Sequence, residues 1–180
     1  MARVNRVLEL LAREQIDCVI IKDVTTIRYI TGFSGDSSIF YLDRYKGVLI
    51  TDGRYTEQAK SEMKFFQVME YQPQNAASIW QAAAVLAKDA SAKVVGFDGD
   101  NYSFTEYMTL QGILEGVTLK SLDFSGIRMI KDKKELDMLL RAASIADDAF
   151  VRLLEDIRPG RSERSLAGRL VVRKQLLTPL

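Results

Sequence analysis

Asp17-Cys18-Val19-Ile20-Ile21-Lys22 is a short apolar run, three of its residues β-branched, closed at each end by a charge. Such a run, without hydrophobic alternation, describes a strand buried on both faces in a sheet covered by helices. A parallel or mixed sheet is therefore expected. Upstream, Val4, Val7, Leu8 and Leu11 fall at i, i+3, i+4, i+7, which predicts a helix with one buried face that ends before Asp17.

Downstream, the pattern alternates. A short helix over 25–29 is followed by Thr31-Gly32-Phe33-Ser34-Gly35-Asp36-Ser37-Ser38, whose glycines and small polar residues mark a loop. Two strand-like runs come next, 39–42 and 47–51, separated by Asp43-Arg44-Tyr45-Lys46. That separation suits a hairpin, so the two are expected to be antiparallel neighbours. Asp52-Gly53-Arg54-Tyr55 is a second loop, with a helix over 56–63 after it. Strand 65–71, an alanine-rich helix over 76–90 carrying Trp80, and strand 93–97 continue the series. A helix over 103–114 has Ser103 at the cap and Glu106 at the capping-box position, and strand 117–122 closes the region. The expected fold class is α/β, a mixed six-stranded sheet with flanking helices.

The pattern changes near Ser125-Gly126. Leu136, Leu139, Leu140, Ala143, Ala146, Phe150, Leu153, Leu154 and Ile157 recur at spacings of 3 and 4, predicting one long helix over 133–157 that Pro159-Gly160 stops. Ser162 can cap a last helix through Leu177. The expected division is an α/β domain at 1–125 and two helices at 126–180.

Composition excludes several function classes. With 47% hydrophobic and 27% charged residues and three prolines, the 180-residue chain lies far from the composition of disordered proteins. The net charge of +1 rules out the strong positive field of non-specific nucleic-acid binding. The charge is uneven. Arg158, Arg161, Arg164, Arg169, Arg173 and Lys174 face only Glu163 after residue 157, leaving 19 basic and 23 acidic groups before it. That tail has no interleaved aromatics, so a solvated or acid-facing helix surface is expected and no nucleic-acid partner. The single cysteine, Cys18, sits in the apolar run and cannot form an internal disulfide, which points to the cytoplasm. Glu9, Arg13 and Glu14 interrupt the first helix, unlike a signal peptide, and no window approaches the ~20 apolar residues of a membrane span.

There is no histidine, so the chain cannot build a Ser-His-Asp or Cys-His nucleophile and lacks the commonest transition-metal ligand. Gly32-Phe33-Ser34-Gly35 and Gly96-Phe97-Asp98-Gly99 are both G-x-x-G and match no phosphate-binding pattern. Ser34 fails as a nucleophile elbow because Asp36 stands where glycine is required. Asp98-Gly99-Asp100-Asn101 fails as a calcium loop, with Ser103 and Thr109 at the glycine and glutamate positions, and reads as a surface turn. Asp147-Asp148 and Glu155-Asp156 are adjacent on a helix and diverge by about 100°, so they read as a solvated face. Two loops survive, 32–38 and 52–55, each at a sheet end, with Arg54 as a carboxylate-binding donor. Turn chemistry plus a surface ion pair accounts for them equally well.

Four stretches in order, Tyr29-Ile30-Thr31-Gly32-Phe33-Ser34-Gly35-Asp36, Val48-Leu49-Ile50-Thr51-Asp52-Gly53-Arg54-Tyr55, Arg128-Met129-Ile130-Lys131-Asp132-Lys133-Lys134-Glu135-Leu136 and Ile157-Arg158-Pro159-Gly160-Arg161-Ser162-Glu163, are similar to landmarks of the aminopeptidase P, prolidase and creatinase family. The resemblance implies a ribonuclease-H-like N-terminal domain, followed by two helices that would begin a pita-bread domain. It further implies a peptidase cutting the bond before proline, in which two Asp, one His and two Glu hold two divalent metals (manganese, cobalt or zinc) and a bridging hydroxide attacks the carbonyl.

Those ligands belong to later parts of the family's chain, so none is carried over: no catalytic residue, no metal ligand and no cofactor are expected here. The family's sheet does not follow the last helix, and the chain is expected to be a truncated or frame-shifted product. What carries over is the N-domain's part in dimerisation and in lending loop residues to the partner subunit's active-site mouth. Ser34, Gly35, Asp36, Arg54 and Tyr55 are the candidates. The expected partners are a second copy of the chain and, for the parent, proline-containing peptides. A stand-alone, non-catalytic interaction module of the same fold is the alternative.

Overall fold

The computed structural model describes residues 2–72 and 78–177. They form two compact units, residues 1–129 and 130–180. In the first, six strands make one sheet in the order β4-β3-β2-β1-β5-β6. The strands are β1 (Cys18–Ile21), β2 (Ser38–Asp43), β3 (Gly47–Thr51), β4 (Gln67–Glu70), β5 (Val94–Phe97) and β6 (Thr118–Ser121). Only β2 runs against its neighbours, pairing Cys18 with Asp43 on one side and Ser38 with Thr51 on the other. The other three pairings are parallel.

All four residues of β1 are buried, as a strand covered on both faces requires. Val19 and Ile21 point into a core with Val7 and Leu11 of α1 (Ala2–Arg13), Ile27 of α2 (Val24–Thr31) and Ala59 of α3 (Thr56–Glu62). Cys18 and Ile20 point the other way, onto Ala83 and Ala87 of α4 (Ile79–Asp89) and Leu110 of α5 (Phe104–Ile113). The small alanine face of α4 lets that helix lie close over the sheet. Burial pushes the Cys18 thiol up to about 12, so it is an inert core group.

The local punctuation follows the residues. Asp23 caps α2, and Gly32 ends it with φ +83°, a left-handed conformation that glycine adopts without strain. Ser103 and Glu106 form the expected capping box on α5. The β2–β3 hairpin turns on the buried Asp43, whose carboxylate accepts from the Tyr41 hydroxyl at 2.7 Å and from the backbone N–H groups of Tyr45 and Lys46 at 2.6 and 2.8 Å. Positions 76 and 77 of the helix expected over 76–90 lie outside the described residues.

Two readings of the later helices needed correction. A short helix, α6 (Ser125–Met129), starts the segment where only a change of character was expected; Asp123 accepts from Ser125 N and Oγ at its start. Five residues are too few to show a 3.6-residue period. In the second unit, α7 (Lys133–Leu154) ends three residues before the expected 157, and α8 (Glu163–Leu177) follows. Proline disfavours helical backbone in the residue before it, so the chain leaves the helix ahead of Pro159. Ala149 and Leu153 of α7 are buried, whereas Leu136, Met138, Leu139, Leu140, Phe150 and Leu154 are exposed.

Ile20 is fully buried in the middle of the sheet. Ile20→Ala should therefore cost about 2–5 kcal/mol in urea unfolding; a loss below about 1 kcal/mol would show that the strand is not sandwiched as described.

Candidate functional site

The two loops singled out from sequence meet at one end of the sheet, where β3 ends and β2 begins. Each surviving side chain is held by a neighbour. Ser34 donates through its backbone N–H and its hydroxyl to the two carboxylate oxygens of Glu62, both at 2.7 Å, and Gln58 Nε2 bridges to Ser34 Oγ at 2.8 Å. These bonds hold the Glu62 carboxyl below the usual carboxylate range. The Tyr55 hydroxyl donates to Asp36 Oδ1 at 2.5 Å, which raises the Tyr55 pKa. Gly35 is buried between rings: a Cβ there would run into the side chains of Phe33 and Tyr55. Glycine is thus required for close approach and not for a special φ.

Arg54 is clamped. Its Nε and Nη2 donate to Asp52 Oδ1 and Oδ2 at 3.0 and 2.7 Å, a two-pronged pair that lowers the Asp52 pKa. Ser37 Oγ completes the group at 3.3 Å from Asp52 Oδ2. The Arg54 side chain is 74% exposed, so the pair fixes direction more than it stabilises the fold. Nη2 also reaches Ser37 Oγ at 3.4 Å, so the orientation of the planar fork is already set. The two loops bring Asp36 to the Tyr55 hydroxyl and the buried Gly35 against the Tyr55 ring, while Ser34 is held by Glu62 of α3 and Arg54 by Asp52.

A crevice at the same end of the sheet involves a residue misread from sequence. Asp98 is 2% exposed and is no surface turn, although Asp100 and Asn101 after it are exposed. Its carboxylate accepts from the backbone N–H of Lys22 at 3.0 Å and of Asp23 at 2.7 Å, tying the end of β5 to the end of β1. Asp23 in turn accepts from Arg128 Nη1 at 2.9 Å. Burial raises the Asp23 pKa, but the Thr26 and Thr25 donors and Arg128 outweigh it and the net shift is downward. The crevice encloses about 240 Å³. It sits where the chain leaves β1 toward β2 on one side and β5 toward β6 on the other, the position at which α/β sheets open a cleft. Only the sheet order reveals it, because Lys22 and Asp98 are 76 residues apart.

The described residues do not fit a metal. Among them there is no group of three or more His, Cys, Asp or Glu side chains placed to hold one, and the whole sequence lacks histidine.

Comparison with known proteins assigns the family. Residues 3–130 match the model of the creatinase/prolidase N-terminal domain, and the chain belongs to that family. It is 34% identical over 157 residues to the uncharacterized peptidase YqhT of Bacillus subtilis, a match covering 86% of this chain and 43% of that protein. The structure of an Xaa-Pro dipeptidase from Bacillus anthracis superposes with a TM-score of 0.89 at 25% identity, over 98% of this chain and 49% of that one. The N-terminal domain of the cytoplasmic peptidase PepQ from Mycobacterium tuberculosis matches at 28% identity and a TM-score of 0.60, over 70% of this chain and 95% of that one. The chain spans less than half the length of the curated relatives it matches. No described helix is long and apolar enough to cross a membrane.

Asp98 gives a pH-dependent prediction. Burial pushes its carboxyl up to about 6, against the pull of the Lys22 and Asp23 N–H groups. An unfolded Asp titrates near ~4, so the folded chain binds a proton that the unfolded chain has released. The Asp98 contribution to stability is therefore greatest below ~4 and falls as pH rises through about 6. Carbon-13 NMR titration should place the Asp98 midpoint near 6; a midpoint at or below ~4 would mean that the two N–H bonds outweigh burial.

Proposed function

We propose that the chain is the N-terminal part of a metal-dependent Xaa-Pro peptidase, with residues 1–125 acting in dimerisation and in restricting the substrate. One observation carries this reading: 98% of the chain superposes on an Xaa-Pro dipeptidase yet accounts for only 49% of it. The remainder of such an enzyme is where the two divalent metals, manganese, cobalt or zinc, would be held. Residues 126–180 would open that second, pita-bread domain.

In this reading the surface built by Ser34, Gly35, Asp36, Arg54 and Tyr55 faces the active-site mouth of a partner subunit. The support is geometric. Arg54 is oriented by Asp52 without being enclosed, so it can meet the carboxylate end of a proline-containing peptide with little loss of side-chain freedom. Cytoplasmic location is proposed from the buried, reduced cysteine and from the PepQ likeness.

The chain by itself is expected to be inactive. Xaa-Pro dipeptides incubated with the pure protein and manganese should be hydrolysed no faster than in a chelated control; chelator-sensitive turnover would sink the inactive-fragment reading. Reading the source DNA in three frames from the Ser162 codon onward should reveal the two Asp, one His and two Glu pattern downstream, and its absence would favour a stand-alone module.

Self-association is the second expectation. The exposed apolar residues of α7 extend over several turns, and burying them removes unfavourable contact with water. Light scattering at micromolar concentration should give a mass above the monomer's 20.3 kDa. A strict monomer with α7 ordered would falsify this.

A further inference from the structure

The opposite end of the sheet, away from the 32–38 and 52–55 loops, carries a groove with a distinct composition. It runs between α1 and the β2–β3 turn in two adjoining hollows of about 620 and 540 Å³, which share Leu8 and Arg44. Its floor is apolar, with Val4, Leu8, Leu42 and Phe66. Phe66 turns inward against Phe40, with ring centroids 5.2 Å apart. The adjacent Phe65 turns outward at 73% exposure, and Tyr45 at the tip of the turn is 86% exposed.

The charges around this groove do not balance. Its two carboxylates are occupied: Asp43 by the Tyr41 hydroxyl and the Tyr45 and Lys46 N–H groups, Asp17 by the N–H groups of Lys93 and Val94 at 2.7 and 2.9 Å. The cations Arg44 and Lys46, and Lys64 next to Phe65, have no ion pair among the described residues. Arg44 lies 5.7 Å from the centre of the Tyr45 ring and Lys46 5.9 Å from that of Tyr41. These cations stand out on a stretch, residues 1–157, whose formal charge is negative. The three bonds to Asp43 also hold the turn in place before anything binds, which lowers the cost of ordering it.

We propose that this groove docks a short acidic segment of another protein, with one aromatic or large aliphatic anchor. The anchor would lie over Leu8 and Phe66 between Tyr45 and Phe65, and its flanking carboxylates would meet Arg44 and Lys46. Exposed Tyr and Phe beside unpaired Arg match the residue types that dominate binding hot spots. The concave shape and the small number of cations suit a peptide better than an anionic lipid surface or a nucleic-acid backbone.

The test uses the full chain, immobilised and probed with a displayed random short-peptide library. The expected consensus is an apolar anchor flanked by Asp or Glu. Synthetic peptides carrying that consensus should bind the R44E/K46E double variant on the order of tenfold more weakly, and Tyr45→Ala should weaken them as well. Lys88→Glu, a charge reversal on the exposed face of α4, should leave binding unchanged. Because the Asp43 bonds use the backbone N–H groups of residues 45 and 46, these variants keep the turn's scaffold, and circular dichroism melts check this. Raising salt from about 0.1 to 1 M should also weaken binding. Selected peptides without acid, equal binding by R44E/K46E, a change in the chain's own self-association with R44E/K46E in place of peptide binding, or sedimentation with phosphatidylserine vesicles in place of peptide binding would each overturn the proposal.

Discussion

The first unit depends on the burial of β1 from both sides. A strand whose four residues are all inside the protein needs a layer over each face, because neither set of side chains can be left to water. Alternation along the backbone sends Val19 and Ile21 to α1, α2 and α3, and Cys18 and Ile20 to α4 and α5. The neighbours of β1 differ in kind, since β2 is antiparallel and β5 parallel. The parallel pairing needs a long crossover, and residues 22–93 supply it with a hairpin and three helices.

That arrangement gives the two ends of the sheet different chemistry. At one end, the ends of β1, β3, β5 and β6 and the start of β2 gather the 32–38 and 52–55 loops and the Asp98 crevice. Backbone N–H groups with no further strand partner are used there, by Asp98 on Lys22 and Asp23, and a buried carboxylate is the consequence. At the other end, Asp17 and Asp43 accept from backbone N–H groups at the start of β5 and in the hairpin turn. Asp43 is buried there while Asp17 stays exposed, and neither forms an ion pair with Arg44 or Lys46 among the described residues. Completing the backbone hydrogen bonds fixes where these carboxylates lie at both ends of the sheet.

The second unit is governed by a different balance. Its helices are locally well specified, with an Asp132–Glu135 capping box opening α7 and an Arg169–Asp156 ion pair at 3.1 Å. Local signals of this kind fix where a helix begins and how it is stabilised, but not what its apolar side meets. Leu136, Leu139, Leu140 and Phe150 follow helical spacing and still face solvent. Spacing identifies a surface suited to packing.

Much of this protein was legible in the residues alone because its signals are local. The β-branched run at 18–21, the 3–4 spacing of α1 and α7, the Ser103 cap and the four-residue link at 43–46 each specify an element within a few positions. The order of landmarks identified the family, and the loops at 34–36 and 54–55 were marked as candidates. Tertiary structure decided the rest. Only the sheet order joins β1 to β5 and so buries Asp98, which its glycine-rich neighbours make look like a turn. Only packing determines that Gly35 lies between the Phe33 and Tyr55 rings, that Asp52 holds Arg54, and that Phe65 turns outward where Phe66 turns inward. Hydrogen-bond partners and burial depend on residues distant in sequence, and a local pattern carries no information about which of them arrive.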